Sequence, residues 1–261
     1  MCGFSGIVFA QLPEQAPDAP LIETFRHAAE RVAHRGDTEH RELLLDRVWL
    51  NHYRLAFQDV ASGRQPMLSH DRRHVIVFNG EVYNHLALRP EISRDAGTVF
   101  RTRSDTETVL EGWKAFGKAF FERLEGEYAF VICATDGGAM LAHRDRFGVK
   151  PLFLSCPGLD TRDFAVFSAA YRFTTPHIEF SSEIKGLAVT RRWNREGLLR
   201  QFVGLYEPIR TPFEQVIQLP PGGMLEMRHD VGKLACKLTT PADPIRTSAT
   251  GDTGETEQAF A

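Results

Sequence analysis

The second residue of the chain is a cysteine, and a glycine-punctuated apolar stretch follows it at once in "MCGFSGIVFA". Cysteine is small enough for a methionine aminopeptidase to expose, so removal of Met1 would make Cys2 the first residue. It would then carry a thiol nucleophile and, on the same residue, a free amine of pKa about 8 to act as its base. In "NGEVYN" the Asn79 carboxamide and the Gly80 backbone N–H suit a developing oxyanion, glycine permitting close approach, and Glu81 stands beside them as a fixed anion. In "NHYRLAFQD" the guanidinium of Arg54 has the geometry for a carboxylate. In "RTRSDTETVL" Asp105 sits where a helix begins, able to cap it and still offer a carboxylate oxygen to a cation. Arg54, Glu81 and Asp105 thus supply one cation and two anions, the complement of an amino acid's carboxylate and ammonium.

Each residue also has an ordinary reading. A lone cysteine is mostly a small hydrophobe, Asn-Gly at a strand end is usually a turn, and a strand arginine often packs its stem on a neighbour. "HRGD" at 34–37 and "RDRFGVKPLF" at 144–153 read alone as polar turns. Phosphate-binding GxxxxGK[ST] and GxGxxG loops are missing, as are HExxH and clustered His/Cys metal sets, so neither ATP nor a metal is expected on this chain.

The elements that must position these residues are mostly strands. Short β-branched and aromatic runs bounded by Gly, Asp, Asn and Pro fall at 3–10, 41–50, 74–83, 127–136, 138–145, 151–155, 163–169, 177–182 and 223–228. Helical periodicity marks 19–36, with Leu21, Phe25, Ala28, Ala29 and Val32 on one face, then 104–117 and 194–206. Without strict βαβα alternation this predicts an α+β fold of antiparallel sheets flanked by helices.

The chain has 261 residues with ordinary globular composition and a net charge of −3, which gives no reason to expect nucleic acid or an anionic membrane as a partner. No apolar run approaches a membrane span, and the first ten residues lack the basic start of a signal peptide. Cys2, Cys133, Cys156 and Cys236 are scattered, so reduced thiols and a cytoplasmic location are expected. Residues 236–261 form the expected linker or tail, the composition turning Thr-, Ala-, Asp- and Pro-rich from about Pro241.

Taken in order, "MCGFSG", "HRG", "HYRLAFQDVASGRQPM", "NGEVYNH", "SDTETVL", "LEGEYAFVI", "RDRFGVKPLF", "SSEIKGL" and "LPPGG" resemble the class II, N-terminal-nucleophile glutamine amidotransferases. The likeness is greatest to the glutaminase half of glutamine-hydrolysing asparagine synthetases. It implies a four-layer αββα sandwich of two antiparallel sheets, with residues 1–235 as the amidotransferase domain. It implies that Cys2 is the nucleophile, that Asn79 and Gly80 form the oxyanion hole, that Arg54 holds the L-glutamine carboxylate, and that Glu81 and Asp105 face its ammonium. The main chain near Leu55 and Phe57 is implied to touch glutamine.

The chain departs from the family pattern in places. Asp37-Thr38 replaces the usual Pro-Asp after "HRG", "RLAFQD" replaces the usual "RLSIVD", and the run before "SSEIKGL" is long enough to suggest an extended hairpin. Family members continue into an ATP-using synthetase domain. A synthetase domain or separate subunit is therefore the expected partner, with ATP and Mg confined to it, and a homodimer is expected only by analogy. A non-catalytic module of the same fold and a hydrolase of another amide stay open at this point.

Overall fold

The structure is a computed structural model, and it describes residues 1–11, 20–56, 58–159, 170–189, 192–205 and 208–241. Phe57 and the strand expected at 163–169 lie outside the described residues. In chain order the elements are β1 (Gly3–Phe9), α1 (Pro20–Glu30), β2 (Glu39–Leu44), β3 (Val48–Arg54), β4 (Met67–Leu68), β5 (His74–Val82), α2 (His85–Ala96) and α3 (Asp105–Phe116). They continue as β6 (Gly126–Ala134), β7 (Ala139–Arg144), β8 (Phe153–Ser155), β9 (Ala170–Thr175), β10 (His177–Ser181), α4 (Arg195–Phe202), β11 (Val216–Gln218), β12 (Met224–Asp230) and β13 (Lys233–Thr239).

The strands form two antiparallel sheets, ordered β11-β8-β10-β1-β3-β2 and β4-β5-β6-β7-β12-β13-β9. Alternation along each strand sends one set of side chains into the space between the sheets, where Phe4, Val8, Leu50, Val77, Val131 and Leu225 are buried together. The opposite face of β1 and β3, with Ile7, Phe9 and Trp49, packs on Ile22, Phe25 and Ala29 of α1. The outer face of the second sheet, with Phe78, Phe130 and Ile132, packs on Ile92 of α2 and Val109 and Leu110 of α3. Helix, sheet, sheet and helix make the four-layer αββα sandwich of the N-terminal-nucleophile hydrolases. None of the described helices is long and apolar enough to cross a membrane.

Several local expectations are corrected. The run 41–50 is a hairpin, because the chain turns at Asp46 and Arg47, with the Leu45 N–H donating to the Val48 carbonyl at 2.8 Å. Helix α2 has no clear helical signature in the sequence, because Pro90 lies within it and, beyond His85, only Leu88 and Ile92 are buried. Within the described part of the long run before "SSEIKGL", β9 and β10 do not pair with each other. β9 pairs with β13 in one sheet and β10 with β1 in the other, so the chain crosses between sheets around Pro176. Finally, β13 runs past the expected boundary at 235, because Leu234, Cys236 and Leu238 alternate into the core between β12 and β9.

A chain ending at residue 235 should therefore lose about 3–5 kcal/mol from burial of Cys236 and Leu238 and from their ladder bonds, whereas one ending at 241 should not. Thermal melts that gave both truncations equal stability would refute this placement of the sheet's last strand.

Candidate active site

Strand β1 starts one residue after Cys2 and lies in the interior of its sheet, so Cys2 sits at the end of a strand paired on both sides. The pairing is anchored where β1 begins. The Phe4 N–H donates to Ser182 Oγ at 3.1 Å, and the Ser182 N–H returns to the Phe4 carbonyl at 2.9 Å. Arg35 of the "HRG" motif donates from Nε to the Cys2 carbonyl at 3.0 Å and from Nη1 to Glu183 Oε1 at 2.8 Å. Thus "HRG" and "SSEIKGL", 148 residues apart, close on the backbone of Cys2. Alone, "HRG" reads as a turn, because nothing in one sequence pairs a given arginine with a distant glutamate.

The Cys2 thiol is partly buried and lies 3.8 Å from the Leu55 carbonyl, to which it donates. Burial pushes its pKa up, while the terminal amine and Arg54 pull it back and Asp105 adds to the rise. The charges of Arg54 and Asp105 therefore reach the sulfur. Thr38, where the family pattern has Asp, accepts the Ala56 N–H on Oγ1 at 3.1 Å and donates its own N–H to the Arg54 carbonyl at 3.0 Å. This departure from the pattern holds the Arg54–Ala56 segment beside the thiol.

Arg54 ends β3 and is buried. Its guanidinium donates to the carbonyls of Gln58 (3.1 Å), Asp59 (2.7 Å) and Val60 (3.1 Å) and lies 3.6 Å from Glu39. The loop after β3 is thus wrapped around the guanidinium, which fixes the cation's place. Asn79 is 1% exposed, and neither its Nδ2 nor its Oδ1 has a hydrogen-bond partner among the described residues. A buried carboxamide with both ends free normally costs stability, and its donor and acceptor stay available to another molecule. Gly80 follows at φ +149°, where an added Cβ would lie 2.1 Å from the Glu127 carbonyl. Only glycine fits there.

Asp105 is the first residue of α3, not its cap, since the Oγ of Ser104 accepts the Thr106 N–H. One Asp105 oxygen accepts the Val82 N–H at 3.0 Å and the other the Thr106 N–H at 2.7 Å, which ties α3 to the end of β5. Burial raises its pKa to about 6; the Val82 and Thr106 amides oppose this, and the negative charge of Glu81 adds to it. Around it the polar side of α3 is buried and satisfied. Glu107 accepts from the Arg101 and Thr102 amides and from His70, and Arg89 donates to the Thr102 and Ser104 carbonyls. The two halves are joined by His52, which pairs with Phe4 in register and reaches the Phe78 carbonyl with Nε2 at 3.1 Å. Its pKa is depressed to about 4 by burial, so it is neutral and serves as a strut.

"RDRFGVKPLF", read alone as a turn, is a knot under the same strands. Asp145 accepts from the amides of Tyr128, Phe147, Val149 and Lys150, while Arg144 donates to the carbonyls of Lys150 and Leu219 at 2.7 Å each. The structure thus brings Cys2, Arg54, Leu55 and Asp105 together, with Asp105 bonded to the strand that carries Asn79, Gly80 and Glu81.

Residues 1–236 match the family described as "Glutamine amidotransferase domain". The chain belongs to this family. It is a class II glutamine amidotransferase, and hence an enzyme. It is 29% identical over 253 residues to glutamine-hydrolysing asparagine synthetase 1 of Bacillus subtilis (strain 168), covering 95% of this chain and 37% of that protein. With glutamine-hydrolysing asparagine synthetase 3 of Arabidopsis thaliana it shares 34% identity over 160 residues, 61% of this chain and 26% of that protein. The amidotransferase therefore spans about a quarter to two fifths of the length of these curated relatives. Among solved structures, glutamine phosphoribosylpyrophosphate amidotransferase from B. subtilis, complexed with ADP and GMP, superposes with a TM-score of 0.58 at 19% identity, covering 90% of this chain and 48% of that one. That likeness concerns the fold.

Replacing Gly80 with alanine should destabilise the amidotransferase by at least about 2 kcal/mol, since its backbone and the Glu127 carbonyl both exclude a Cβ. Denaturant titration would check this, and an unchanged midpoint would remove the steric account of the position.

Proposed function

We propose that this amidotransferase, once Met1 is removed, hydrolyses L-glutamine to glutamate and ammonia with Cys2 as its nucleophile. The ammonia would go to an ATP-dependent amidation of a carboxylate of the asparagine-synthetase type, with aspartate as the default acceptor. The synthetase, joined or separate, would bring ATP and Mg²⁺. What carries the reading is the Asn79 carboxamide, buried with no partner on the strand bonded to Asp105. Met1 stands 54% exposed, within reach of an aminopeptidase.

In this reading the free amine of Cys2 takes the thiol proton, directly or through a water, and the thiolate attacks the side-chain amide carbon of glutamine. Asn79 Nδ2 and the Gly80 N–H stabilise the oxyanion. Collapse of the tetrahedral intermediate breaks the C–N bond, and the departing nitrogen takes the proton held by the amine and leaves as ammonia. Water then attacks the γ-glutamyl thioester, releasing glutamate and restoring the thiol. Arg54 neutralises the substrate carboxylate, while Glu81 and Asp105 hold its ammonium.

Intact mass before and after treatment with 6-diazo-5-oxo-norleucine tests the proposal. Loss of Met1 with one adduct mapped to Cys2 is expected, and a Met1-free protein that takes no adduct at Cys2 counts against it. Replacing Asn79 with alanine should lower kcat by about 10²–10³-fold with little change in KM, as steady-state ammonia release would show. The Asp105 carboxyl is ionised only above about pH 6, and protonation removes the charge that holds the ammonium. The value of kcat/KM should therefore fall as pH drops through about 6, and the acid limb of the profile should change shape in Asp105→Asn.

A further inference from the structure

Arg54 is fixed by the turn that follows β3, and that turn does not stand by itself. Three successive carbonyls, those of Gln58, Asp59 and Val60, point at one guanidinium. Within the turn Asp59 adopts φ +43°, a left-handed conformation that costs free energy in a residue carrying a side chain and persists only where its surroundings enforce it. Two bonds run out of the turn to supply that support. The Asp59 carboxylate accepts the Arg103 N–H at 2.6 Å, and the Gln58 carboxamide meets the His85 ring, Nε2 to Nε2, at 2.9 Å.

An amide nitrogen can only donate, so the imidazole accepts through its Nε2. Burial and the neighbouring Arg89 cation hold the His85 pKa below the usual histidine range, which keeps the ring neutral and its lone pair available. His85 is 6% exposed and its Nδ1 has no partner, so the bond from Gln58 is the one hydrogen bond of this ring among the described residues. Gln58 is also a place where the chain leaves the family pattern. In "RLAFQD" it stands at the valine of "RLSIVD", and a valine there has no donor to offer His85.

Both bonds end beside the rest of the site. His85 opens α2 five residues after Gly80, and Arg103 lies two residues before Asp105. The turn around Arg54 is thus fastened to the chain leaving the Asn79–Glu81 strand and to the chain entering α3. We propose that Gln58, acting through His85, is a positioning residue that sets the separation between the Arg54 cation and the carboxylates of Glu81 and Asp105, and so selects a ligand bearing a carboxylate and an ammonium on one carbon. The inference rests on the glutaminase reading of the site, in which Arg54 takes the substrate carboxylate.

Steady-state turnover of L-glutamine and of L-glutaminamide, whose α-carboxylate is replaced by a neutral amide, tests it on the full chain freed of Met1. Gln58→Val should raise KM for glutamine about five- to tenfold and leave kcat within about twofold, because the bond serves binding of the carboxylate end and not the reacting carbonyl. The preference for glutamine over glutaminamide should fall by a similar factor. His85→Phe, which keeps a ring and loses the acceptor, should do the same, and the double variant should be no worse than either single one. His85→Gln, whose side-chain oxygen can accept from Gln58, should recover part of the affinity. A smaller folded fraction would lower both activities together and leave their ratio intact. An unchanged ratio in both Gln58→Val and His85→Phe, or additive effects in the double variant, would overturn the positioning role while leaving glutamine hydrolysis at Cys2 in place. Wild-type protein that hydrolyses glutamine no faster than Cys2→Ala would overturn the glutaminase reading and this inference with it.

Discussion

Strand β1 begins one residue after Cys2 and must still occupy an interior position in a sheet. No spare chain is left to absorb error at Cys2, so its geometry rests on side chains that grip the first few backbone groups. Ser182 takes both polar groups of Phe4, and the Arg35–Glu183 pair takes the Cys2 carbonyl. Pairing on both sides by β3 and β10 then fixes the direction of the strand. Sheet order, the crossing of the chain around Pro176 and the packing of α1 all serve that one requirement.

A second constraint is that the polar groups of the site are buried. Arg54, Asn79 and Asp105 are all nearly inaccessible, and burial of charge is tolerable only when each group is held. Arg54 is held by three loop carbonyls, Asp105 by two amides, and the polar face of α3 by the His70–Glu107–Arg89 network. Of these three, only Asn79 has no hydrogen-bond partner among the described residues, which leaves its carboxamide free to meet another molecule.

Much of this was legible in the sequence. Strands of alternating burial, the helix at 105–116 and the order of the motifs all follow from local patterns, because period 2 and period 3.6 are written residue by residue. The segments holding Cys2, Arg54, Asn79, Gly80 and Asp105 are each ordinary when read alone and stand out by their order along the chain. Helix α2, with its Pro90, and the hairpin hidden in the Leu43–Leu45 run did not stand out, because their local signals point elsewhere. The boundary expected at 235 falls inside strand β13, whose buried Leu234, Cys236 and Leu238 alternate to its end.

The sequence by itself determined which side chains were available for chemistry, and with them the family, because residue type and order are properties of the chain. The tertiary structure alone decided that Arg35 and Glu183 meet over the Cys2 carbonyl, that Thr38 clamps Ala56, and that Asn79 has no partner among the described residues. Each of these is a relation between residues far apart in the chain. Such relations depend on which strands pair and in what register, and register follows from the packing of the whole sandwich.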